Sequence, residues 1–482
     1  MRTLSSIIII SVLSATAFAQ AGQLDNTFSG DGKVKTPFPF GGSYGSVSTM
    51  TIQPDGKILI GGTTPNASSY HKSFISRYNT DGTVDISIGL GGNEDCEVFS
   101  LAVQQDGKIV VVQRFAEGYN LARYTSSGLL DPFALNYQYY SFGETTAALQ
   151  ADGKIVVGGF MYGDEGFMLL RYDSTGLFDT SFSSNGIVST LIGSESGIYA
   201  VAIQSDNKIV AGGYTQTGNN TDWALVRYNS NGTLDSSFGI QGIVTTAMSN
   251  TAINAIAIQP DGKILVSAPG TFTLVRYNSD GSLDTTFGTN GIATDSTFES
   301  TGSFALQVDG KIVATGATLN LPDDFALIVL NEDGSIDSSF GTNGVTTTDF
   351  DNEIDKAICV AIEPDGKIVI AGGSDSRIEL ARYLSELNVG ILNFSLSQSS
   401  PLIYPNPIHQ TETLEYTLTK NESLTMTLYD VNGKLIKNFI SSEQRAVGAH
   451  KETLNIGELT SGNYFLTISN GTQKMTVKMV NQ

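Results

Sequence analysis

The sequence holds few of the residues on which acid–base and nucleophilic catalysis usually depend. It has three histidines, and two of them, His409 and His450, lie near the C-terminus. A Ser-His-Asp or Cys-His arrangement in the main part of the chain would therefore have to use His71. Its neighbours Tyr70 and Lys72 belong to an irregular stretch, so we predict no catalytic residue of this kind.

Metal ligands are equally sparse. Cys96 and Cys359 are widely separated, and no His and Cys cluster has the spacing of a zinc site. Residues 278–284 resemble a shortened calcium loop, with weaker copies at 125–131 and 173–179. Asn, Asp and Gly are also the residues that tight turns require. We therefore predict neither a cofactor nor a metal site, and keep calcium at these loops as the alternative.

Carboxylates are abundant and leave one enzymatic hypothesis open. Asp and Glu number 48 against 27 Lys and Arg, which gives a formal net charge of −21. Residues 391–482 hold seven side chains of each sign, so the acidic excess lies in the rest of the chain. This charge disfavours nucleic acid and anionic lipid as partners. Two carboxylates could still support a hydrolase or lyase that acts on a polysaccharide.

Aromatic residues lie beside carboxylates in segments that do not repeat along the chain. Aromatic rings stack on sugar rings or peptide groups, and carboxylates accept hydroxyl hydrogen bonds. A further position stands out because Gln recurs six times at corresponding sites, whereas the seventh site has Glu. The candidates for ligand contact are Phe38, Phe40, Tyr44, Tyr137, Tyr139, Tyr140, Trp223 and Glu363.

A repeat must position these candidates. Its signature is a hydrophobic run, an Asp-Gly turn and Lys-Ile, as in residues 258–264. The turn Asp recurs at positions 55, 106, 152, 206, 261, 309 and 365, about 52 residues apart. Alternating runs between such turns predict four short antiparallel strands per repeat. The first strand carries small residues on one face, which predicts that it lies innermost in a radial arrangement.

The two ends of the repeat region predict a closed ring. Residues 24–34 match the fourth strand of a repeat but have no preceding three strands. The last repeat ends after its third strand, near Tyr383. The surplus strand at one end therefore supplies the strand that is missing at the other. We predict an all-β fold, a seven-bladed β-propeller over residues 20–383 that is closed by an N-terminal strand.

Paired charges recur with the repeat. An Arg precedes an Asp by eight residues in five repeats, as in Arg276 and Asp284, whereas the sixth has Val329 at the Arg position. Arg382 of the seventh would meet Asp25 across the closure. Because the pairs recur, they predict a scaffold rather than one active site. The Asp-Gly turns share one face of such a propeller, and the varied connections share the other, where we expect binding.

The chain ends predict export. Residues 1–19 combine Arg2, a short apolar run and the cleavage-site pattern Ala17-Phe18-Ala19 of a signal peptide. No later apolar run is long enough for a transmembrane helix in the mature chain. Residues 384–400 have the composition of a linker, and the alternating segments of 401–482 predict a small β-sandwich.

Two parts of the sequence resemble known families. The recurring phrases Asp-Gly-Lys-Ile-Val, Arg-Tyr-Asn-Ser-Asp-Gly and Leu-Asp-Ser-Ser-Phe-Gly resemble the delta-60-repeat β-propellers over about residues 24–383. That resemblance implies architecture and little chemistry. Residues 401–482 resemble the type A C-terminal sorting domain of the type IX (Por) secretion system. The residues that carry this second resemblance include Tyr404, Pro405, Asn406, Pro407, Gly433, Lys434, Gly462 and Tyr464.

The second resemblance implies passage through the periplasm, recognition of the tail by type IX machinery, and delivery to the medium or the outer cell surface. Together with the scarcity of catalytic residues, it favours an exported, non-enzymatic propeller that binds a glycan, protein or surface through its varied loops. A carboxylate-dependent polysaccharide hydrolase or lyase is the first alternative. A purely structural component of the cell surface is the second.

Overall fold

The computed structural model describes residues 21–39, 45–65, 71–90, 96–115, 118–131, 136–138, 146–161, 164–218, 220–248, 251–319, 323–374, 376–385, 402–404, 411–418, 421–430, 434–456, 459, 462–469 and 474–481. The regular elements in these ranges are all strands. Within the same ranges, no helix is long and apolar enough to cross a membrane.

The first twenty-seven strands form seven antiparallel blades of four strands each. From the innermost strand outward, blade 1 is β2 (Ser46–Ile52), β3 (Ile58–Pro65), β4 (His71–Tyr78) and β5 (Val84–Gly89). Blade 2 is β6 (Cys96–Val103), β7 (Ile109–Phe115), β8 (Gly118–Tyr124) and β9 (Asn136–Gln138). Blade 3 is β10 (Thr146–Leu149), β11 (Ile155–Met161), β12 (Asp164–Tyr172) and β13 (Ile187–Thr190). Blade 4 is β14 (Glu195–Ile203), β15 (Ile209–Thr217), β16 (Asn220–Tyr228) and β17 (Ile243–Thr246).

Blades 5 and 6 share one long strand, so they appear as a single seven-stranded sheet. Blade 5 is β18 (Ala255–Ile258), β19 (Ile264–Ser267), β20 (Gly270–Tyr277) and the first part of β21 (Ile292–Leu306). Blade 6 is the second part of β21, β22 (Ile312–Thr318), β23 (Phe325–Leu330) and β24 (Val345–Thr348). Blade 7 is β25 (Lys356–Ile362), β26 (Ile368–Ser374), β27 (Arg377–Tyr383) and β1 (Lys33–Pro37).

The ring closes as the sequence predicts. The N-terminal strand β1 pairs antiparallel with β27 and so becomes the fourth strand of blade 7. The backbone N–H of Asp25 donates to the Arg382 carbonyl at 2.8 Å. The Leu384 N–H donates to the Gln23 carbonyl at 2.9 Å, so the pairing extends past residue 383. The innermost strands β25 and β2 adjoin, which joins blade 7 to blade 1.

The small residues of the innermost strands lie where neighbouring blades approach. Ser100 Oγ accepts a hydrogen bond from the Ala147 N–H of the next blade at 3.2 Å. Ser303 Oγ accepts one from the Val360 N–H, also at 3.2 Å. A short hydroxyl side chain suits this contact because it reaches the neighbouring backbone without separating the strands. The first strand of each repeat is therefore innermost, as predicted.

The Asp-Gly phrase is a tight hairpin that requires one left-handed residue. In blade 5, the Gly262 N–H donates to the Gln259 carbonyl at 2.9 Å, and Gly262 has a φ of 85°. The Asp261 carboxylate accepts the Lys263 N–H at 3.1 Å. Blade 4 has Asn207 at the glycine position with a φ of 64°. Asn is among the few non-glycine residues that adopt this conformation readily.

The predicted Arg–Asp pairs form latches between blades. Arg276 donates from Nε to Asp284 Oδ2 at 2.7 Å and from Nη1 to the Glu332 carbonyl of the next blade at 2.5 Å. Burial opposes ionisation of Asp284, but hydrogen bonds from Thr286 and the cations of Lys263 and Arg276 outweigh it and lower its pKa. The equivalent pairs are Arg77–Asp85, Arg123–Asp131, Arg171–Asp179, Arg227–Asp235 and Arg382–Asp25.

Blade 6 lacks this latch because Val329 replaces the arginine. Lys311 binds the corresponding Asp337 at 2.7 Å. The fourth strand of blade 7 comes from the N-terminus, so the hairpin turn that a latch would reach is interrupted there. Instead, the Gly341 N–H donates to the Ala21 carbonyl at 3.0 Å. The junction between blades 6 and 7 is therefore held differently from the others.

The C-terminal part is the predicted β-sandwich of two antiparallel sheets. Leu414 and Leu454 of one sheet share a buried core with Leu424, Leu466 and Met479 of the other. In sheet order, the strands are β28 (Leu402–Tyr404), β29 (Thr411–Leu418) and β32 (Gly448–Asn455), then β31 (Leu435–Arg445), β30 (Glu422–Asp430), β33 (Gly462–Ser469) and β34 (Lys474–Asn481).

Candidate functional site

The strand order gives the propeller two faces of different character. The turn face carries the hairpins between first and second strands and between third and fourth strands, such as 53–57 and 79–83. The variable-loop face carries the connections between second and third strands and between blades, such as 190–195 and 348–356. The variable-loop face differs far more in sequence from blade to blade than the turn face, so a ligand site is expected there.

In four of the blades, a bulge in the innermost strand points one side chain in a different direction from its neighbours. The pairing register shifts on either side of four residues that each stand seven positions before a turn Asp. Such bulges re-aim side chains and are frequent beside binding sites. The bulged residues are Ser48, Phe99, Tyr199 and Ile358. These four residues differ in size and polarity, whereas the residues that directly follow them are all small.

The Tyr199 bulge forms the richest of these sites. Its ring stacks on Tyr214 of the second strand, with centroids 5.6 Å apart and planes at 28°. Phe160 of blade 3 meets both rings edge-on, at 6.2 Å from Tyr199 and 6.4 Å from Tyr214. All three rings are partly exposed. We call Phe160, Tyr199 and Tyr214 the aromatic cluster.

A carboxylate and a glycine complete the surroundings of the aromatic cluster. The Tyr214 hydroxyl donates to Glu195 Oε1 at 2.8 Å, which fixes the ring and leaves the acid partly exposed. Gly197 lies beneath two of the rings: a Cβ there would stand 2.8 Å from Tyr214 and 3.0 Å from Phe160. Since Gly197 lacks that atom, rings from two blades can come together.

A smaller site of similar composition lies on blade 2. The Arg114 guanidinium stands 5.1 Å from the ring centroid of the bulged Phe99. It also donates to Glu97 Oε2 at 2.7 Å, and both charged side chains are about two-fifths exposed. A ring, a cation and a carboxylate thus meet at the bulge position that Tyr199 occupies in blade 4.

The structure places two of the sequence-based candidates in the hydrophobic core. Phe38 is 3% exposed and packs edge-on against Phe74, with centroids 5.9 Å apart. Trp223 is 1% exposed, and its Nε1 donates to Thr251 Oγ1 at 2.8 Å. Neither ring offers a face to a ligand. We attribute both to packing between and within blades.

The other aromatic candidates fall outside what the structure describes. Phe40, Tyr44, Tyr139 and Tyr140 lie beyond the described ranges, and Tyr137 is described only as backbone of β9. The sequence-based candidates did not include Phe160, Tyr199 and Tyr214, which lie in strands rather than in connections. For Tyr199, the signal that could have found it is the varied residue seven positions before each turn Asp.

Glu363 lies on the turn face, beside a latch. It is 7% exposed, and its carboxylate oxygens stand 3.4 Å from Arg382 Nη1. Burial raises the pKa of Glu363 to about 7, although Arg382 partly opposes the shift. Gln150, at the same position of blade 3, stands 3.5 Å from Arg171. The position therefore belongs to the latch in more than one blade and lies away from the aromatic cluster.

Turn chemistry accounts for the proposed calcium loop of blade 5. Asp280 Oδ1 accepts the Ser282 N–H at 2.9 Å and its hydroxyl at 2.6 Å, and Asp284 is bound by Arg276. Both cysteines are buried free thiols, and burial raises the pKa of Cys359 to about 12. The side chain of His71 lies outside the described part of the chain.

Some of the sorting-motif residues are placed in the tail sandwich. Tyr464 is 5% exposed within the core, and Gly462 begins β33. The Lys434 N–H donates to Asp430 Oδ1 at 2.9 Å and helps to close a hairpin. Tyr404 is described as backbone of β28. Pro405, Asn406, Pro407 and Gly433 are not among the described residues.

Comparison with known families agrees with this architecture. A family model described as a domain of unknown function (DUF5122) beta-propeller matches residues 53–87, 104–133, 150–182, 204–238, 259–287, 307–340 and 363–389, one segment for each blade. The chain belongs to this propeller family. A second family model, the secretion system C-terminal sorting domain, matches residues 402–482, which follow the propeller in the sequence. The tail is thus handled by type IX machinery, and the protein is secreted across the outer membrane to the cell surface or the extracellular space.

The DUF5122 propeller is similar in fold to several solved structures, and no curated protein matches it. A catalytically inactive virginiamycin B lyase from Staphylococcus aureus with quinupristin is 13% identical, with 72% of this chain and 98% of that chain covered and a TM-score of 0.46. YCF48 bound to D1 peptide is 13% identical, with 78% and 100% covered and a TM-score of 0.43. Sqt1 from Chaetomium thermophilum is 14% identical, with 69% and 81% covered and a TM-score of 0.42.

Proposed function

We propose that this exported propeller is a non-enzymatic binding protein that holds a glycan on its variable-loop face. The observation that carries the proposal is the aromatic cluster with Glu195 beside it. Tyr199 and Tyr214 present stacked, partly exposed rings, and Phe160 adds a third ring from the neighbouring blade. Rings of this kind stack on the apolar face of a sugar, and a carboxylate accepts hydrogen bonds from its hydroxyls.

The surroundings of the cluster support binding rather than catalysis. Glu195 accepts from the Tyr214 hydroxyl, so its most direct role is to orient a ring and a ligand hydroxyl. A preformed platform of this kind lowers the entropy that a ligand must lose. The signal peptide proposed for residues 1–19 and the sorting tail would deliver the platform to a surface where polysaccharides are abundant.

A glycan array with the secreted protein tests this proposal. Tyr199→Ala should weaken binding to the selected glycan about fivefold, since one stacked ring contributes roughly 1 kcal/mol. Tyr214→Phe should weaken it less, because it keeps the ring and loses only the bond to Glu195. Ile240→Ala is the control, because this apolar side chain is 83% exposed on the turn face.

The same samples decide between the remaining hypotheses. Release of new reducing ends or unsaturated products from a bound polysaccharide would contradict the non-enzymatic proposal and favour the hydrolase or lyase. A protein that binds no glycan, and whose Tyr199→Ala variant changes only in stability, would favour a purely structural role.

A further inference from the structure

Three carboxylates converge where blades 6 and 7 meet on the variable-loop face. Asp324 directly precedes β23 of blade 6, and Asp349 and Asp355 lie in the connection that leads into blade 7. One carboxylate oxygen from each lies within 4.8 Å of the other two. This junction is separate from the aromatic cluster, which lies between blades 3 and 4.

Neighbouring acids on this face are neutralised, whereas these three are not. Among the described residues, Asp324, Asp349 and Asp355 make no ion pair with a basic side chain. The nearby acids that are paired are Asp323 with Lys356, Asp351 with Lys35, and Glu353 with Arg377.

A buried carboxylate without a cationic partner points to a missing ligand. Asp355 is fully buried, and its Oδ2 accepts the Phe350 N–H at 3.0 Å. Among the described residues, its Oδ1 accepts from no N–H or hydroxyl group, and the side-chain partner of Asp355 is another acid, Glu379. Behind it, Glu379 is also fully buried, and Arg377 Nε at 3.2 Å from Glu379 Oε1 is the nearest cation. Buried carboxylate oxygens normally find a donor or a metal ion.

We propose that Asp324, Asp349 and Asp355 bind a divalent cation, and that this cation is Ca²⁺. Calcium takes six to eight oxygen ligands at 2.3–2.6 Å and accepts carboxylates, backbone carbonyls and water together. Two oxygens on opposite sides of a calcium ion are therefore about 5 Å apart, which the spacing of these three oxygens accommodates. Three carboxylates carry more than enough negative charge to balance the ion.

The position of the site gives the cation a structural role. Blades 6 and 7 are the pair that lacks an arginine latch on the turn face, because Val329 replaces the arginine. A cation held by Asp324 on one side and by Asp349 and Asp355 on the other would fasten the same two blades from the opposite face. This role differs from the proposed glycan binding and does not depend on it.

Thermal unfolding of the full chain with and without calcium tests the proposal. The protein is first stripped with a chelator that is then removed, and calcium or magnesium chloride is added at 1 mM. We expect calcium to raise the unfolding temperature by several degrees, magnesium to raise it less, and calorimetric titration to show one calcium site. A wild-type protein with no calcium-dependent shift and no titratable site would overturn the proposal.

Two variants assign the site. Asp349→Asn, at an exposed position, should weaken calcium binding at least tenfold while the calcium-free protein unfolds at an unchanged or higher temperature. Asp280→Asn removes one negative charge from a turn on the opposite face and should leave calcium affinity unchanged. If calcium binds with equal affinity to wild type and Asp349→Asn, or is lost in Asp280→Asn, the site lies elsewhere and the assignment is wrong.

Discussion

The two faces of the propeller are made from the same seven repeats but use them differently. On the turn face, Arg276 and its counterparts repeat one set of contacts in blade after blade. On the variable-loop face, a shared bulge presents a different side chain each time, such as Tyr199 or Ile358. Repetition therefore marks the contacts that close the ring, and variation at a fixed backbone position marks where a ligand would be recognised.

The largest expected effect comes from breaking the ring. Deletion of residues 24–37 removes β1, so blade 7 loses its fourth strand and its Arg382–Asp25 pair. We expect the free energy of unfolding to fall by roughly 5 kcal/mol or more. Urea unfolding of the secreted protein measures this, and an unchanged midpoint would show that closure does not stabilise the fold.

A single latch should have a smaller effect. Arg276→Ala leaves buried Asp284 without its main partner and frees the carbonyl of Glu332, which should cost roughly 3 kcal/mol. Lys263→Ala is the matched control, because it removes a partly exposed cation from the same carboxylate and should cost under about 1 kcal/mol. Equal effects of the two changes would mean that the latch is no stronger than a surface ion pair.

Glu363 should make stability depend on pH. Its pKa is about 7 in the folded protein and near 4.5 when unfolded, so the folded state holds the proton more tightly. Stability contributed by the protonated acid is therefore present below pH 4.5 and is lost as the pH rises from 4.5 through 7.

Glu363→Gln introduces the residue that the other six repeats have at this position, and it should abolish the loss of stability with rising pH. The variant should be more stable than wild type by about 1–3 kcal/mol at pH 8 and nearly equal to it at pH 4.5. Urea unfolding at the two pH values provides the test. If the stability difference between variant and wild type is the same at pH 4.5 and pH 8, Glu363 does not titrate between these pH values.

A substitution beneath the aromatic cluster should have the smallest effect on stability but the clearest effect on glycan binding. Gly197→Ala places a Cβ against Tyr214 and Phe160 and should disturb the aromatic cluster at a cost of about 1–2 kcal/mol. Gly158→Ala is the control, because its Cβ would crowd Val201 and Ile198 instead. Glycan affinity should fall in the first variant and stay unchanged in the second, and a loss in both would indicate a general effect of packing.

Much of the architecture could be predicted from the sequence because it repeats. The period, the N-terminal closing strand and the Arg–Asp pairs were each visible as spacings, and the structure confirms them. The candidate site could not be predicted in the same way. Whether an aromatic side chain is exposed depends on its pairing register and on the neighbouring blade, and neither is local in sequence.

Trp223 and Tyr199 show this difference. Trp223 follows an acid next to a connection, which suggested a ligand contact, yet it is 1% exposed in the core. Tyr199 sits within an apolar strand pattern, yet a bulge places it in a partly exposed stack with Tyr214. The acidic site between blades 6 and 7 was equally hidden, because Asp324 is distant in sequence from Asp349 and Asp355.

Hydrogen exchange of the full chain with and without a glycan selected on the array tests the central claim most directly. Glycan binding should slow exchange at residues 195–199 and 211–216, which carry Glu195, Tyr199 and Tyr214. Exchange at turn-face hairpins such as 259–263 should not change. Protection of the hairpins, with no protection around Tyr199 and Tyr214, would contradict the assignment of recognition to the variable-loop face.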